Sequence, residues 1–245
     1  MKNRLIVVVF LSLFSALSWA SSSAVLDHME PNLADKASLQ KGAKTYINYC
    51  FGCHSTKYAR YERIADDLGI PHDQFMDNLV FSDAKIGELM HIAMPEKSAK
   101  AWFGATPPDL TLVTRLRGVD WMYSYLRAFY QDASRPWGVN NKIFPDVGMP
   151  HVLYELQGTQ ILDCTGNHND SSHETCADLK LVEGSGALSA EQYDEVVYDL
   201  VNFLHYMGDP SREQREALGI KVLIFIFIFF IAAWFLNREF WRDIH

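Results

Sequence analysis

The sequence predicts a mostly α-helical domain with long ordered loops, followed by one C-terminal transmembrane helix. Three observations carry this. Apolar residues recur at helical spacing while strand-type alternation is scarce. Two long Pro- and Gly-bearing segments, "WFGATPPDL" and "RPWGVNNKIFPDVGMPHVLYELQG", separate the helical stretches. Val222 to Leu236 is an unbroken run of fifteen apolar residues.

The N-terminus reads as an export signal. Lys2 and Arg4 form a positive start, Leu5 to Leu17 an apolar stretch, and Ser18-Trp19-Ala20 a small-residue cleavage site. The apolar stretch is shorter than the ~20 residues that a spanning helix needs, so cleavage after Ala20 is expected rather than retention as an anchor. About 200 residues then follow before the apolar tail, enough for one domain with a real core.

Within that domain the first helix is expected from Ser38 to Tyr49, where Leu39, Ala43, Ile47 and Cys50 share a face. A second, aromatic-rich helix is expected over Val119 to Tyr130, ahead of "SRPWG". The last begins at Ser189, which has capping-box spacing to Gln192; Tyr193, Val196, Val197, Leu200, Leu204 and Met207 give its apolar stripe. "GDP" at Gly208 to Pro210 ends it. Beyond it, the fifteen-residue run extends back to Ala217 to reach spanning length, with Lys221 close enough to the interface to snorkel. Trp234 and Trp241 are placed as interfacial aromatics. The expected division is therefore signal 1–20, exported domain 21–210, juxtamembrane connection 211–220, membrane helix 221–237 and cytoplasmic tail 238–245. Cations flank the apolar run on both sides, so the export signal, not charge bias, orients it.

Formal net charge is -8; without Lys2 and Arg4 the exported chain has 20 bases against 30 acids, or -10. Such a balance argues against nucleic acid and suits either a basic protein partner or simple solubility.

"INYCFGCHSTKYARY", Ile47 to Tyr61, holds the motif with the most chemical content: Cys50, Cys53 and His54 spell C-x-x-C-H, the attachment signature of c-type haem. Two thiols at that separation can add to the two vinyl groups of one haem, and the adjacent imidazole is placed to ligate the iron. A thioredoxin-like pair would sit near a βαβ pattern, which this region lacks. A zinc half-site would need further ligands. A sixth ligand to iron must come from elsewhere, and Met149, Met94, His151 and His91 are the candidates. Met149 stands in a loop bounded by Gly148, which permits close approach, and Pro150, which stiffens the exit. Trp102, Phe103, Tyr46 and Phe144 can wall a haem or simply pack a core.

The remaining cysteines, Cys164 and Cys176, enclose His168 and His173 in "DCTGNHNDSSHETC". In an exported protein the simpler reading is a disulfide closing a surface loop; a zinc pattern of unfamiliar spacing is the alternative.

Taken together, "DKASLQKGAKTYINYCFGCHSTKYARY", "WFGATPPDLTLV", "FPDVGMPHVLYELQG" and the single C-terminal anchor, in that order, resemble the cytochrome c1 family. That family is the haem subunit of the ubiquinol:cytochrome c reductase (bc1) complex, and the likeness covers nearly the whole exported chain. The resemblance implies one covalent haem c on Cys50 and Cys53, with His54 as proximal and Met149 as sixth ligand. It implies no catalytic acid, base or nucleophile: single electrons arrive from a Rieske iron-sulfur protein and leave to a cytochrome c. Cytochrome b is implied as the membrane partner, and a bacterial inner membrane, haem domain periplasmic, as the location. Many members carry an arginine before the Pro-Pro-Asp-Leu loop that contacts a haem propionate; here Lys100 is out of register, and Arg115 and Arg117, just after the loop, are the alternatives. A haem peroxidase would need an open sixth position. A tethered cytochrome serving another oxidase or dehydrogenase would lack the two loop segments. Non-reducing peptide mapping is expected to recover Cys164 and Cys176 as a linked pair; two free thiols with stoichiometric zinc would contradict it.

Overall fold

The computed structural model describes residues 25–163 and 178–242. The export signal and the Cys164 to Cys176 loop lie outside the described residues.

Helix α1, Lys36–Thr45, starts at Asp35, whose side chain accepts from the Ser38 amide at 3.1 Å. It does not end where the periodicity places it. From Tyr46 to Cys50 the chain widens into a π-turn, in which the Phe51 amide donates to the Tyr46 carbonyl at 2.9 Å. Such insertions gather at functional positions, and this one delivers Cys50.

Strand β1, Thr56–Arg60, leads into α2, Tyr61–Leu68, and α3, His72–Leu79, and pairs antiparallel with β2, Leu89–Met90. Helix α4 is Glu96–Phe103 and α5 is Val113–Arg117. The aromatic helix α6 runs Val119–Arg127, shorter than its pattern suggests. Phe129–Gln131 leaves it as β3, pairing with β4, Val139–Asn141. The Asn141 side-chain amide donates to the Tyr125 carbonyl at 2.8 Å, which also accepts from the Ala128 amide at 3.2 Å where the helix ends. Then come α7, Tyr154–Gln157, and the hairpin β5, Gln160–Asp163, with β6, Asp178–Leu181. Helix α8, Ala190–Gly208, opens with both hydrogen bonds of the Ser189/Gln192 capping box. The architecture is thus a helical domain with small two-stranded sheets.

Helix α9 is continuous from Arg212 to Phe240, with none of its residues buried against the rest of the chain. It is long and apolar enough to cross a membrane. A helix that shows Ile and Phe on every side has no polar face for water.

The core forms where α1 crosses α8, with α6 packed alongside. Tyr46 and Phe203 are both fully buried, their ring centroids 5.8 Å apart. Gly42 permits the crossing. A Cβ there would overlap the Asp199 carbonyl oxygen and sit 2.6 Å from the Phe203 Cβ. At an exposed helix position Gly→Ala stabilises by about 1 kcal/mol. Here the overlap reverses the sign: Gly42→Ala is expected to cost ~1–3 kcal/mol. Thermal denaturation of the detergent-solubilised protein, followed by circular dichroism, should show a lower midpoint than wild type. An unchanged or higher midpoint would contradict the close crossing.

Candidate haem site

The π-turn ends at Cys50, whose carbonyl accepts from both Cys53 N, at 3.0 Å, and His54 N, at 2.9 Å. This tight turn holds the motif together. Tyr46, four residues before Cys50, donates its buried hydroxyl to the His54 carbonyl at 2.6 Å. The backbone of the motif is therefore fixed from the helix that precedes it.

The imidazole is fixed from the other side. His54 Nδ1 lies 2.7 Å from the Pro108 carbonyl oxygen. A carbonyl only accepts, so Nδ1 carries the proton and Nε2 presents its lone pair. Burial holds the His54 pKa below the ordinary histidine value, partly opposed by the Pro108 carbonyl and the Asp109 charge. The neutral ring, the form able to ligate a metal, is thus favoured.

The Pro108 carbonyl stands where it does because the 107–110 loop is docked on the segment after the motif. Leu110 N donates to Ser55 O at 2.9 Å. The Asp109 carboxylate accepts from Lys57 N at 2.8 Å and from Thr111 N at 3.0 Å. "CH-STK" and "PPDL" are one assembly, joined by two backbone-directed bonds besides the imidazole contact.

A second loop forms the opposite wall. Buried Asn141 accepts from Ile143 N at 2.9 Å and Phe144 N at 3.1 Å through one side-chain oxygen. Asn140 does the same for Asp146 N at 2.9 Å. Asp146 itself takes a left-handed φ of 62°. The shaped loop leads to Val147, which is buried, and on to Met149.

Between these walls lies a cavity of about 340 Å³ lined by Cys50, Cys53, His54 and Met149. Leu126 from α6 and Leu200 and Leu204 from α8 make its apolar floor, and Tyr125 and Trp121 stack 4.9 Å apart along one side. Neither Cys50 nor Cys53 is in a disulfide. Burial pushes the Cys50 thiol up to about 12 and raises Cys53 as well, so both stay protonated at neutral pH. Two thiols, an imidazole with a free Nε2 and a thioether on an otherwise apolar wall suit a large apolar metal complex. Among the described residues no cluster of three His, Cys, Asp or Glu side chains is placed as a metal site.

The candidate sixth ligands occupy different places in the fold. Met149 lines the cavity; Met94, His91 and His151 do not. His151 turns away, stacked on Phe129 at 4.8 Å and 3°, with burial pushing its pKa down to about 4. Of the aromatics, Phe103 and Phe144 line the cavity, Trp102 is exposed and Tyr46 belongs to the core. Arg117 lines the cavity with its guanidinium 5.1 Å from the Trp121 ring centroid. Arg115 instead donates to the Gly208 carbonyl at 3.3 Å, and Lys100 is exposed away from the site. A Cβ on Gly148 would meet only the Phe103 carbonyl, at an ordinary 3.7 Å, so close approach does not require glycine there.

Sequence reasoning did not single out Pro108 as the partner of His54, nor Trp121 and Tyr125 as cavity walls. Their aromatic helix was visible, but its period does not say which face meets a cofactor.

A helical domain whose C-x-x-C-H motif opens on an apolar cavity is a c-type cytochrome domain. Comparison with known proteins narrows the class. A profile described as the Cytochrome C1 family matches residues 182–244. Cytochrome c1 of Allochromatium vinosum is 48% identical over 246 residues, covering 99% of this chain and 100% of that protein. A protein named ammonia monooxygenase gamma subunit, of Nitrosomonas europaea, is 42% identical over 98% of this chain and 97% of its own length. Cytochrome c1 of Rhodospirillum rubrum is 24% identical over 86% of this chain and 83% of its own. The chain belongs to the cytochrome c1 family, bc1-type electron-transfer cytochromes with haem c as cofactor, and it carries a C-terminal helix long and apolar enough to cross a membrane.

Proposed function

We propose that the chain takes single electrons from the Rieske iron-sulfur protein of a ubiquinol:cytochrome c reductase and passes them to a cytochrome c. Its single membrane helix would pack on cytochrome b. The observation that carries this reading is the convergence of four donor atoms on one cavity: the sulfurs of Cys50, Cys53 and Met149, and Nε2 of His54.

Cys50 and Cys53 would hold one haem c covalently, and His54 and Met149 would ligate its iron. When bound, the haem supplies a one-electron ferric/ferrous couple. The protein contributes position and environment. The Pro108 carbonyl orients His54 and raises the basicity of its Nε2. Leu126, Leu200 and Leu204 exclude water from the cavity floor. Arg117 is the cation at the wall and would meet a propionate carboxylate, a role for which Arg115 and Lys100 are less well placed. A thioether sulfur available to the iron would favour an electron carrier over a peroxidase, which needs an open ligand position.

Residues 1–20 would be removed on export, leaving 21–210 on the periplasmic side of a bacterial inner membrane, 211–220 as connection, 221–237 across it and 238–245 in the cytoplasm. The acidic balance of the exported chain would speed encounter with a basic carrier. No nucleic-acid partner is expected from such a balance.

The relative named as an ammonia monooxygenase subunit makes a different complex the rival reading. Gentle detergent purification followed by subunit identification and peptide mass mapping decides between them. The expected result is copurification with a multi-spanning di-haem protein and an iron-sulfur protein, and one haem on the peptide holding Cys50 and Cys53. Copurification with an unrelated oxidase or monooxygenase, or an unmodified cysteine peptide, would overturn the proposal.

A further inference from the structure

The Tyr125 hydroxyl lies 3.4 Å from the Met149 sulfur and is directed to donate to it. We propose that Tyr125 positions the Met149 sulfur and tunes it as a ligand. Its O–H engages one sulfur lone pair and leaves the other for iron. This rests on Met149 being an axial donor.

The donor is fixed independently of the sulfur. Tyr125 is buried, its ring stacked on Trp121 at 4.9 Å and 8° and meeting the Phe129 ring edge-on at 5.3 Å. Its carbonyl accepts from Asn141, the same side chain that shapes the 143–144 turn. The hydroxyl is therefore aimed by packing, not recruited by a mobile acceptor.

The acceptor needs such a guide. Methionine has three rotatable side-chain bonds and a soft sulfur that fits many environments. Its backbone is anchored two residues on, where His151 stacks on Phe129. Phe129 thus touches both the ring of the donor and the loop of the acceptor. One aromatic side chain sets the spacing between hydroxyl and sulfur.

The electronic consequence has a definite sign. A hydrogen bond to the thioether draws electron density from sulfur and makes it a weaker donor. Ferric iron loses more by this than ferrous iron, so the bond favours the reduced state. Hydrogen bonding to a ligand is one of the levers by which a protein sets the potential of an iron centre. Arg117 and Thr106 also line the cavity, but among the described residues it is the Tyr125 hydroxyl that reaches the Met149 sulfur.

The test is redox titration of the purified holoprotein carrying Tyr125→Phe, which keeps the ring and removes only the hydroxyl. At a fixed ambient potential the ratio of reduced to oxidised protein should fall ~2–5-fold, on the scale of one hydrogen bond. A tenfold change corresponds to 59 mV for a one-electron couple. The sulfur-to-iron absorption band should shift while the melting temperature stays near wild type. An unchanged potential and band in Tyr125→Phe, with the band present in wild type, would overturn the inference and leave the Met149 ligand standing. A shift in Tyr125→Leu but not in Tyr125→Phe would also overturn it, because it would assign the effect to ring packing. Absence of the band from wild type would instead remove Met149 as ligand, and this inference with it.

Discussion

The hydrogen bond from His54 Nδ1–H to the Pro108 carbonyl is the constraint on which the site depends. In energy it is ordinary, about 0.5–1.5 kcal/mol net. In consequence it is large, because it fixes which nitrogen carries the proton and which way the other points. The bond exists only because two segments distant in sequence are locked together. Asp109 fastens its loop to the Lys57 amide, Leu110 to the Ser55 carbonyl, and Tyr46 holds the His54 carbonyl from within the core. A proline supplies the accepting carbonyl without bringing a competing N–H of its own.

The opposite wall is built on a different principle. No helix carries Met149; two buried asparagines act as templates for a loop and satisfy backbone amides that have no secondary-structure partner. With the Ile143, Phe144 and Asp146 amides all donating to these side chains, the loop adopts few alternatives. The aromatic group of Tyr125, Phe129 and His151 then ties that loop to α6. Between the rigid imidazole side and this templated side lies the cavity, floored by leucines from α6 and α8, the helices that also make the core. The scaffold and the site therefore share side chains, and Gly42, by letting α1 approach α8, bears on both.

Much of this was legible in the sequence. The C-x-x-C-H motif carries its own spacing chemistry, the capping box at Ser189 sets a helix start that the structure reproduces, and the fifteen-residue apolar run falls inside one continuous helix with no residue buried against the rest of the chain. Less legible were features that depend on long-range partners. The first helix stops being α at Tyr46 because the motif needs a wider turn, and the aromatic helix stops at Arg127 because its next residues pair with 139–141. Neither competitor is visible in a local window. Met149, Met94, His91 and His151 all carry side chains able to ligate iron; in the fold Met149 lines the cavity and His151 stacks on Phe129. Tyr46, read as a possible wall, is core because its hydroxyl is committed to the His54 carbonyl.

The central claim is that the two walls meet one iron, with imidazole nitrogen on one side and thioether sulfur on the other. Near-infrared magnetic circular dichroism of the oxidised protein tests it most directly, comparing wild type with Met149→Ala. The account predicts a low-spin spectrum with a sulfur-to-iron band in wild type and loss of that band in the variant. A band that survives Met149→Ala, or a high-spin wild-type spectrum, would contradict it.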